Sequence, residues 1–217
     1  SNSRLQGSRL GYADFGGSNL KGSDLSRARL RYTNFAMSYI SSADFAGLKA
    51  NSSNFEFVTA QSSNFHNSNV STSNFSWSNL SFSKFTHSWL VGTSFAGAQI
   101  GEVHFEGSDM RGADFSFADL HGGRLVNVHL GGNEFSESIG AKTSVMYGAA
   151  LQRVDLSQTG FLPHHMESSF GDGTVVLPSN LERPIHWSSQ NLNHDDFIEA
   201  WRKWHNEIGS KFIYRFD

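Results

Sequence analysis

The sequence predicts an all-β solenoid that ends in a short α-helix. Two observations predict the solenoid: an apolar residue recurs at every fifth position from 5 to 135, and a small residue precedes most of these by two positions. A third observation predicts the helix, because the five-residue period is lost after residue 162 and a helical pattern follows near the C-terminus. We therefore expect a repeat region over 1–162 and a C-terminal tail over 163–217.

The five-residue period covers 27 consecutive apolar centres, and 21 of them have Ala, Ser or Thr two positions earlier. Five residues turn an α-helix by about 500°, so the centres would scatter around its axis. On a straight strand an odd step alternates faces, so half of the centres would meet water. The chain must therefore bend once per repeat. Asp or Asn before the centre suits such a bend, because its side chain bonds nearby backbone groups.

The repeated string of a small residue, Asp or Asn, and Leu or Phe resembles the pentapeptide-repeat family of bacteria. Ala13-Asp14-Phe15, Ser23-Asp24-Leu25 and Ala113-Asp114-Phe115 carry the resemblance, which covers roughly residues 1–160. It implies a right-handed quadrilateral parallel β-helix, with four pentapeptides in each coil and about eight coils in all.

Four sides sort the apolar centres into columns, and one column contains only Phe. We expect this column to form the core ladder of the solenoid: Phe15, Phe35, Phe55, Phe75, Phe95, Phe115 and Phe135. A second column is also rich in Phe, and the remaining two are mostly aliphatic. Adjacent sides then alternate aromatic and aliphatic residues, which fills a narrow core without clashes.

The register changes once near the end of the repeats. Gly140 and Val145 keep the period, whereas Leu151, Leu156 and Phe161 follow one residue late. This shift predicts one inserted residue between 145 and 151, as a bulge or small loop. Pro163 then ends the five-residue pattern.

The tail has a different pattern, with a short strand predicted at 174–177 and a helix predicted at about 193–209. Asn193 is a suitable N-cap, and the apolar residues after it have helical spacing: Phe197, Trp201, Trp204 and Ile208. An amphipathic helix with two Trp must cover apolar surface. We expect it to cap the open solenoid end, with dimerisation through the helix as the alternative.

Parts of the tail resemble a subgroup of bacterial pentapeptide-repeat proteins. The matching stretches are residues 169–178, 183–187 and 201–204. Members of this subgroup often carry an N-terminal membrane anchor. The resemblance therefore implies a second interpretation, a membrane-tethered scaffold whose anchor lies upstream of residue 1; otherwise we expect a cytoplasmic protein.

Composition argues against most catalytic and metal sites. The chain has no Cys, so thiolate ligands and nucleophiles are excluded. Its ten His occupy different columns, and the adjacent pair His164-His165 is a poor chelate without a carboxylate nearby. No nucleophile, base and orienting acid are recognisable as a set. We expect no enzyme activity, no cofactor and no metal, and the net charge of -3 gives no reason to expect nucleic-acid binding.

The best-known role of the pentapeptide family is to mimic duplex DNA and so protect topoisomerases such as gyrase from fluoroquinolones. Such mimicry needs a strongly negative rod, but residues 1–162 contain 12 acidic and 12 basic residues. The loops that interrupt the repeats of the resistance branch are also absent from 5 to 135. The sequence therefore disfavours this alternative. The six basic residues before residue 32 would suit a surface that faces anionic lipid or a nucleic acid, but they are spread over several coil faces, so we expect a solvated surface.

One surface feature points to a partner. Two positions after each Phe of the ladder the side chain should point outward, and several of these residues are large and apolar: Met37, Phe57, Trp77 and Phe117. Gly97 interrupts the row. Exposed apolar stripes usually mark interfaces. The sequence therefore predicts a non-enzymatic protein-interaction scaffold with an unidentified protein partner or a second copy of itself.

Overall fold

The computed structural model describes residues 2–207, which wind as a parallel β-solenoid. Parallel bridges join each coil to the next at residues 20 positions apart. The first of these bridges joins Arg4 to Asp24, and the last joins Asp119 to Ile139. Successive bridges are five residues apart along the chain, so each coil has four bridged sides. The predicted all-β solenoid is confirmed.

Regular elements longer than a single bridge occur only near the C-terminal end of the described residues. Three short strands pair in parallel, β1 with β2 and β2 with β3. They are β1 (His129–Gly131), β2 (Ala150–Gln152) and β3 (Phe170–Gly171). Two α-helices follow or interrupt them, α1 (Pro163–Glu167) and α2 (His194–Glu207), and a 3-10 helix spans Ala141–Thr143. The predicted C-terminal helix is therefore present as α2.

The bends arise from local hydrogen bonds and from left-handed backbone. In a typical repeat the Ser26 amide donates to the Asp24 carboxylate at 2.9 Å, which fixes the start of the corner. The second corner residue of every repeat from Asn2 to Glu137 has a φ between 52° and 70°. This region favours Gly but is occupied here by many other residue types.

The small residue of each repeat faces the interior, and several of the Ser and Thr at this position link neighbouring coils. The buried Ser53 hydroxyl donates to the Leu30 carbonyl at 2.6 Å and accepts the Thr33 amide at 3.1 Å. Several other interior Ser and Thr residues repeat this donation to a carbonyl of the preceding coil. A buried hydroxyl with both roles filled is tolerated, whereas an unpaired one destabilises the fold. The Ser-rich composition therefore serves the interior as well as the surface.

Two columns of Phe fill the core. Along the predicted ladder, successive ring centroids from Phe15 to Phe135 lie between 4.5 and 5.5 Å apart in stacked geometry. Rings of the second Phe column meet the ladder edge-on, as Phe85 does with Phe75 at 5.6 Å. Phe15 at the N-terminal end is partly buried, and the other six ladder residues are buried. Stacking along a column and edge-on contact between columns are the favoured geometries of aromatic pairs.

The inserted residue lies earlier than the sequence predicts. Val145 bridges Arg124 at a spacing of 21, so the extra residue already precedes position 145. The 3-10 turn at Ala141–Thr143 takes it up, and Met146 becomes the buried centre in place of Val145. The prediction of an insertion between 145 and 151 is therefore wrong. The period alone could not separate the two positions, because both residues are apolar.

The parallel ladder continues past Pro163, since Phe170 pairs with Ala150 and Val176 with Asp155. Residues from the tail join the main core, among them Met166, Val175 and Trp187. A Cβ built on Gly171 would lie 2.5 Å from the Trp187 indole, so the indole packs directly on the Gly171 backbone at the end of the core. The predicted boundary at 162 marks the end of the five-residue pattern and not of the ladder.

Candidate functional site

The predicted row of outward apolar residues forms one exposed edge of the solenoid, which we call the aromatic corner. It consists of Met37, Phe57, Trp77 and Phe117, which are 65%, 53%, 57% and 52% exposed. Each is the second corner residue of its repeat, with φ of 57° or 58°. The described part of the tail does not cover them. The corner thus presents large apolar side chains on four of five successive coils, which are spaced by about 4.8 Å.

Gly97 shapes this corner because Trp77 lies over it. A Cβ built on Gly97 would come within 2.5–2.6 Å of three carbon atoms of the indole. The Trp77 ring therefore rests on the Gly97 backbone. The interruption in the sequence row is filled by the neighbouring side chain.

Other exposed aromatic residues lie on different edges. Tyr12 and Tyr32 stack at 5.2 Å on one corner, and Phe82 is exposed on another. Trp89 is half-exposed on a flat side, where it is bridged to Asn69. These residues do not extend the aromatic corner.

Helix α2 packs against the outer side of the last coils. Phe197 and Trp204 are buried against Ala150 and Phe170, in a cluster separate from the main core. The partly buried Trp201 donates its indole N–H to the Gly148 carbonyl at 3.0 Å. The remaining predicted helix residue, Ile208, lies outside the described residues. The helix therefore covers a side wall, while the tail residues before it cover the solenoid end.

A histidine lies under this helix. The His129 ring stacks near the rings of Phe197 and Trp201, at 6.2 and 6.3 Å. Burial is the main reason why the pKa of His129 falls to about 4, and Arg111 and His194 lower it further against the opposing effect of Asp109. His205 at the other end of α2 contacts the Asn127 side chain at 3.0 Å. The helix is thus docked on neutral imidazole, a feature that the sequence pattern did not indicate.

The basic residues are aligned more regularly than their positions along the chain suggest. Arg9, Arg29 and Lys49 are bridged in succession and form one column on a single side. Arg29 is the middle member of this column, and Arg27 and Arg31 lie two residues before it and two residues after it. A count of charges along the chain hides this alignment, but the spacing of 20 residues would have revealed it.

The described residues offer little for catalysis or metal binding. Within residues 2–207 no three His, Asp or Glu side chains are grouped so that they could hold a metal ion. His165, one of the His pair, is buried and occupied: its ring accepts the Leu162 amide at 2.8 Å and contacts the Ser144 carbonyl at 3.0 Å. Neither described helix has the length and apolar character needed to cross a membrane.

The geometry defines a class, the four-sided parallel β-solenoids with twenty residues per coil. The family model for pentapeptide repeats matches the sequence in eight copies, over residues 1–37, 78–116 and 93–132. The chain belongs to the pentapeptide-repeat family. Membership implies the right-handed form of the solenoid. A search of curated proteins finds no match.

Several solved pentapeptide-repeat structures are similar to this chain. One, from the Arabidopsis thaliana thylakoid lumen, is 24% identical with a TM-score of 0.38 over 52% of this chain and 68% of that chain. HetL, involved in heterocyst differentiation regulation in the cyanobacterium Nostoc sp. strain PCC 7120, is 19% identical with a TM-score of 0.28, over 68% and 80%. Full-length QnrB1, a plasmid-mediated fluoroquinolone resistance protein, is 13% identical with a TM-score of 0.43, over 83% and 92%.

Proposed function

We propose that the protein is a non-enzymatic interaction scaffold, a rod of about eight coils that binds a protein partner through the aromatic corner. The observation that supports this is the exposure of four large apolar side chains along one edge. Soluble proteins rarely leave such a contiguous row in water unless it is an interface. Aromatic residues and Met are also enriched at protein interfaces.

The backbone at this corner strengthens the proposal. A non-Gly residue in the left-handed region is destabilised by about 1–2 kcal/mol relative to its usual conformation. Gly17 and Gly97 occupy the same column, so the fold accepts Gly there. Large apolar residues at 37, 57, 77 and 117 are therefore not required by folding, which favours a role at the surface.

The test removes the largest side chain of the corner. Trp77→Asp should weaken association, with itself or with a partner captured by the rod, while the circular dichroism of the solenoid stays unchanged. Trp77→Gly should do the same, since Gly suits the local φ. Phe82→Asp, an equally exposed aromatic on another corner, is the matched control. Sedimentation velocity of the three variants gives the oligomer size, and an unchanged size together with unchanged partner capture would refute the proposal.

Two alternative functions, a DNA mimic and a membrane-tethered scaffold, make different demands on the protein. A topoisomerase-directed DNA mimic would inhibit or protect gyrase in a supercoiling assay, and the neutral charge of residues 1–162 still disfavours it. A membrane-tethered scaffold requires an anchor upstream of residue 1. Without one, we propose a cytoplasmic location.

A further inference from the structure

One side of the N-terminal half of the solenoid carries five cationic side chains, which we call the basic face. Arg9, Arg29 and Lys49 stand directly above one another in the bridged column, and Arg27 and Arg31 flank Arg29 in the same coil. All five side chains are exposed. Coils are spaced by about 4.8 Å, so the column places a positive charge at each step along the axis.

No acidic side chain pairs with these cations in the described part of the chain. Two basic residues farther along are paired, Arg111 with Asp109 at 2.6 Å and Arg124 with Glu106 at 2.6 Å. None of the five cations of the basic face takes part in an ion pair within residues 2–207. The segments that build this side, 6–12, 26–32, 46–52, 66–72 and 86–92, contain no Asp or Glu. This side therefore carries a local excess of positive charge, although the whole chain is slightly negative.

The basic face is grooved and has aromatic rings within reach. A concave surface is lined by Arg27, Arg29, Lys49 and Asn67, with the Trp89 indole at its far end. Gly47 also lines it, and a Cβ there would touch the Arg27 side chain at 3.4 Å. The groove thus combines cations at one end with an exposed planar ring at the other.

Cationic and aromatic side chains also lie together along one edge of the basic face. Tyr12 and Tyr32 stack along the neighbouring corner, and the Arg31 guanidinium lies 5.4 Å from the centroid of the Tyr32 ring. From Arg9 to Trp89 the face extends over four coil steps, about 19 Å. A linear ligand could therefore contact several cations at once.

We propose that the basic face binds single-stranded nucleic acid. Proteins that bind single strands combine a positive groove along the phosphates with aromatic side chains on which unpaired bases stack. Here the five cations of the basic face would contact phosphates, and Trp89 would stack with a base. The overall charge argued against nucleic acid, but binding depends on the local field, which is positive on this side.

The groove and the indole distinguish this ligand from the other polyanions. A flat anionic bilayer would gain from the charges but not from a concave surface ending in an aromatic ring. An acidic protein segment would likewise depend on the cations alone. A single strand uses both features, so its binding should respond separately to the loss of charge and to the loss of Trp89.

The experiment measures fluorescence anisotropy of a labelled oligothymidylate of about ten nucleotides, a length suited to sites of this type. Each phosphate contact on a single strand contributes about −0.7 to the slope of log affinity against log salt, so five contacts predict about −3.5. Raising the salt from about 50 to 200 mM should then weaken binding about 100-fold. No binding at 50 mM salt would overturn the proposal.

Two variants separate the contributions. Arg29→Gln with Lys49→Gln should reduce the slope by about 1.4, because two phosphate contacts are lost. Trp89→Ala should weaken binding about 10-fold and leave the slope unchanged, because stacking does not release counterions. The matched control is Lys84→Gln with Lys142→Gln, two exposed cations elsewhere, which should change neither quantity.

The outcomes that contradict the proposal are equally specific. A slope unaffected by the Arg29 and Lys49 substitutions would place binding elsewhere on the molecule. Binding to vesicles rich in phosphatidylserine that is stronger than binding to the oligonucleotide, and insensitive to Trp89→Ala, would assign the basic face to a membrane instead. Circular dichroism of each variant verifies that the solenoid remains folded.

Discussion

Gly97 is the residue on which the shape of the aromatic corner depends. Its backbone has a φ of +65°, and the Trp77 indole lies where a Cβ would be. Gly17 in the same column has a φ of +64°, but no heavy atom of another coil lies within 4 Å of the position that its Cβ would take. The two glycines therefore share a left-handed backbone conformation and differ in the neighbouring ring.

Gly97→Ala should displace the Trp77 ring from the backbone of the next coil. The ring then becomes more exposed to water, and the tryptophan emission shifts to longer wavelength. Gly17→Ala carries the same left-handed strain without the collision, so its emission should match that of the unaltered protein. Equal spectra for the two variants would contradict the packing of Trp77 on Gly97.

Phe75 in the middle of the ladder should be among the most sensitive core positions. Its ring contacts Phe55 and Phe95 along the column and Phe65 and Phe85 from the side. Phe75→Ala leaves a cavity with all four neighbours held by their own coils, and the expected loss is about 3–5 kcal/mol. Phe15→Ala, at the partly buried end of the same ladder, should cost clearly less. Urea denaturation measures both, and equal losses would contradict the columnar core.

At the scale of elements, α2 is attached through few side chains. Phe197 is fully buried and Trp204 nearly so, and both pack on residues of the outer wall. Phe197→Asp places a charge in this cluster and should detach α2 while the coils stay folded, because the main core does not include Phe197. Asp195→Ala on the exposed side of the helix is the control.

Limited proteolysis followed by mass spectrometry measures this detachment. Faster cleavage within residues 194–207 of the Phe197→Asp variant, with the thermal transition of the coils retained, is the expected result. Loss of the whole solenoid in that variant would show instead that α2 is an integral part of the core.

The repeat could be predicted from the sequence because its period is a direct consequence of the bend. The inward Phe, the small interior Ser and the Asp or Asn at the corner each recur every five residues. The position of the insertion was not predictable, because Val145 and Met146 are equally apolar. The docking of α2 on a side wall was also not predictable, since helical spacing shows which face is apolar but not what it contacts.

Of the two candidate surfaces, the aromatic corner was predicted from the sequence and the basic face was not. Met37, Phe57, Trp77 and Phe117 followed from the rule that the second corner residue points outward. The basic face was missed because its residues come from three coils and look scattered along the chain, although the 20-residue spacing of Arg9, Arg29 and Lys49 is visible in the sequence. Only the 20-residue coil brings Arg9, Arg29 and Lys49 into one column.

At the scale of the whole molecule, the solenoid is asymmetric in its response to acid. Two histidines with lowered pKa, His129 and His165, both lie near the C-terminal end, and burial is the main cause in each case. Their pKa values of about 4 lie below the ordinary value of 6.5. In a solenoid each coil contacts only its neighbours, so a local loss of stability need not spread along the rod.

Acidification should therefore loosen the C-terminal end first. Because the folded state prefers neutral imidazole, the stabilisation is complete above pH 6.5 and is lost as the pH falls toward 4, by about 2 kcal/mol per histidine between pH 7 and 5. Hydrogen exchange should accelerate over residues 144–171 and not over the central Phe ladder. His165→Gln should flatten this dependence, since protonation of the ring would otherwise disrupt the bond from the Leu162 amide. His87→Gln, at an exposed position, should leave it unchanged, and uniform acceleration along the rod would refute a locally acting histidine.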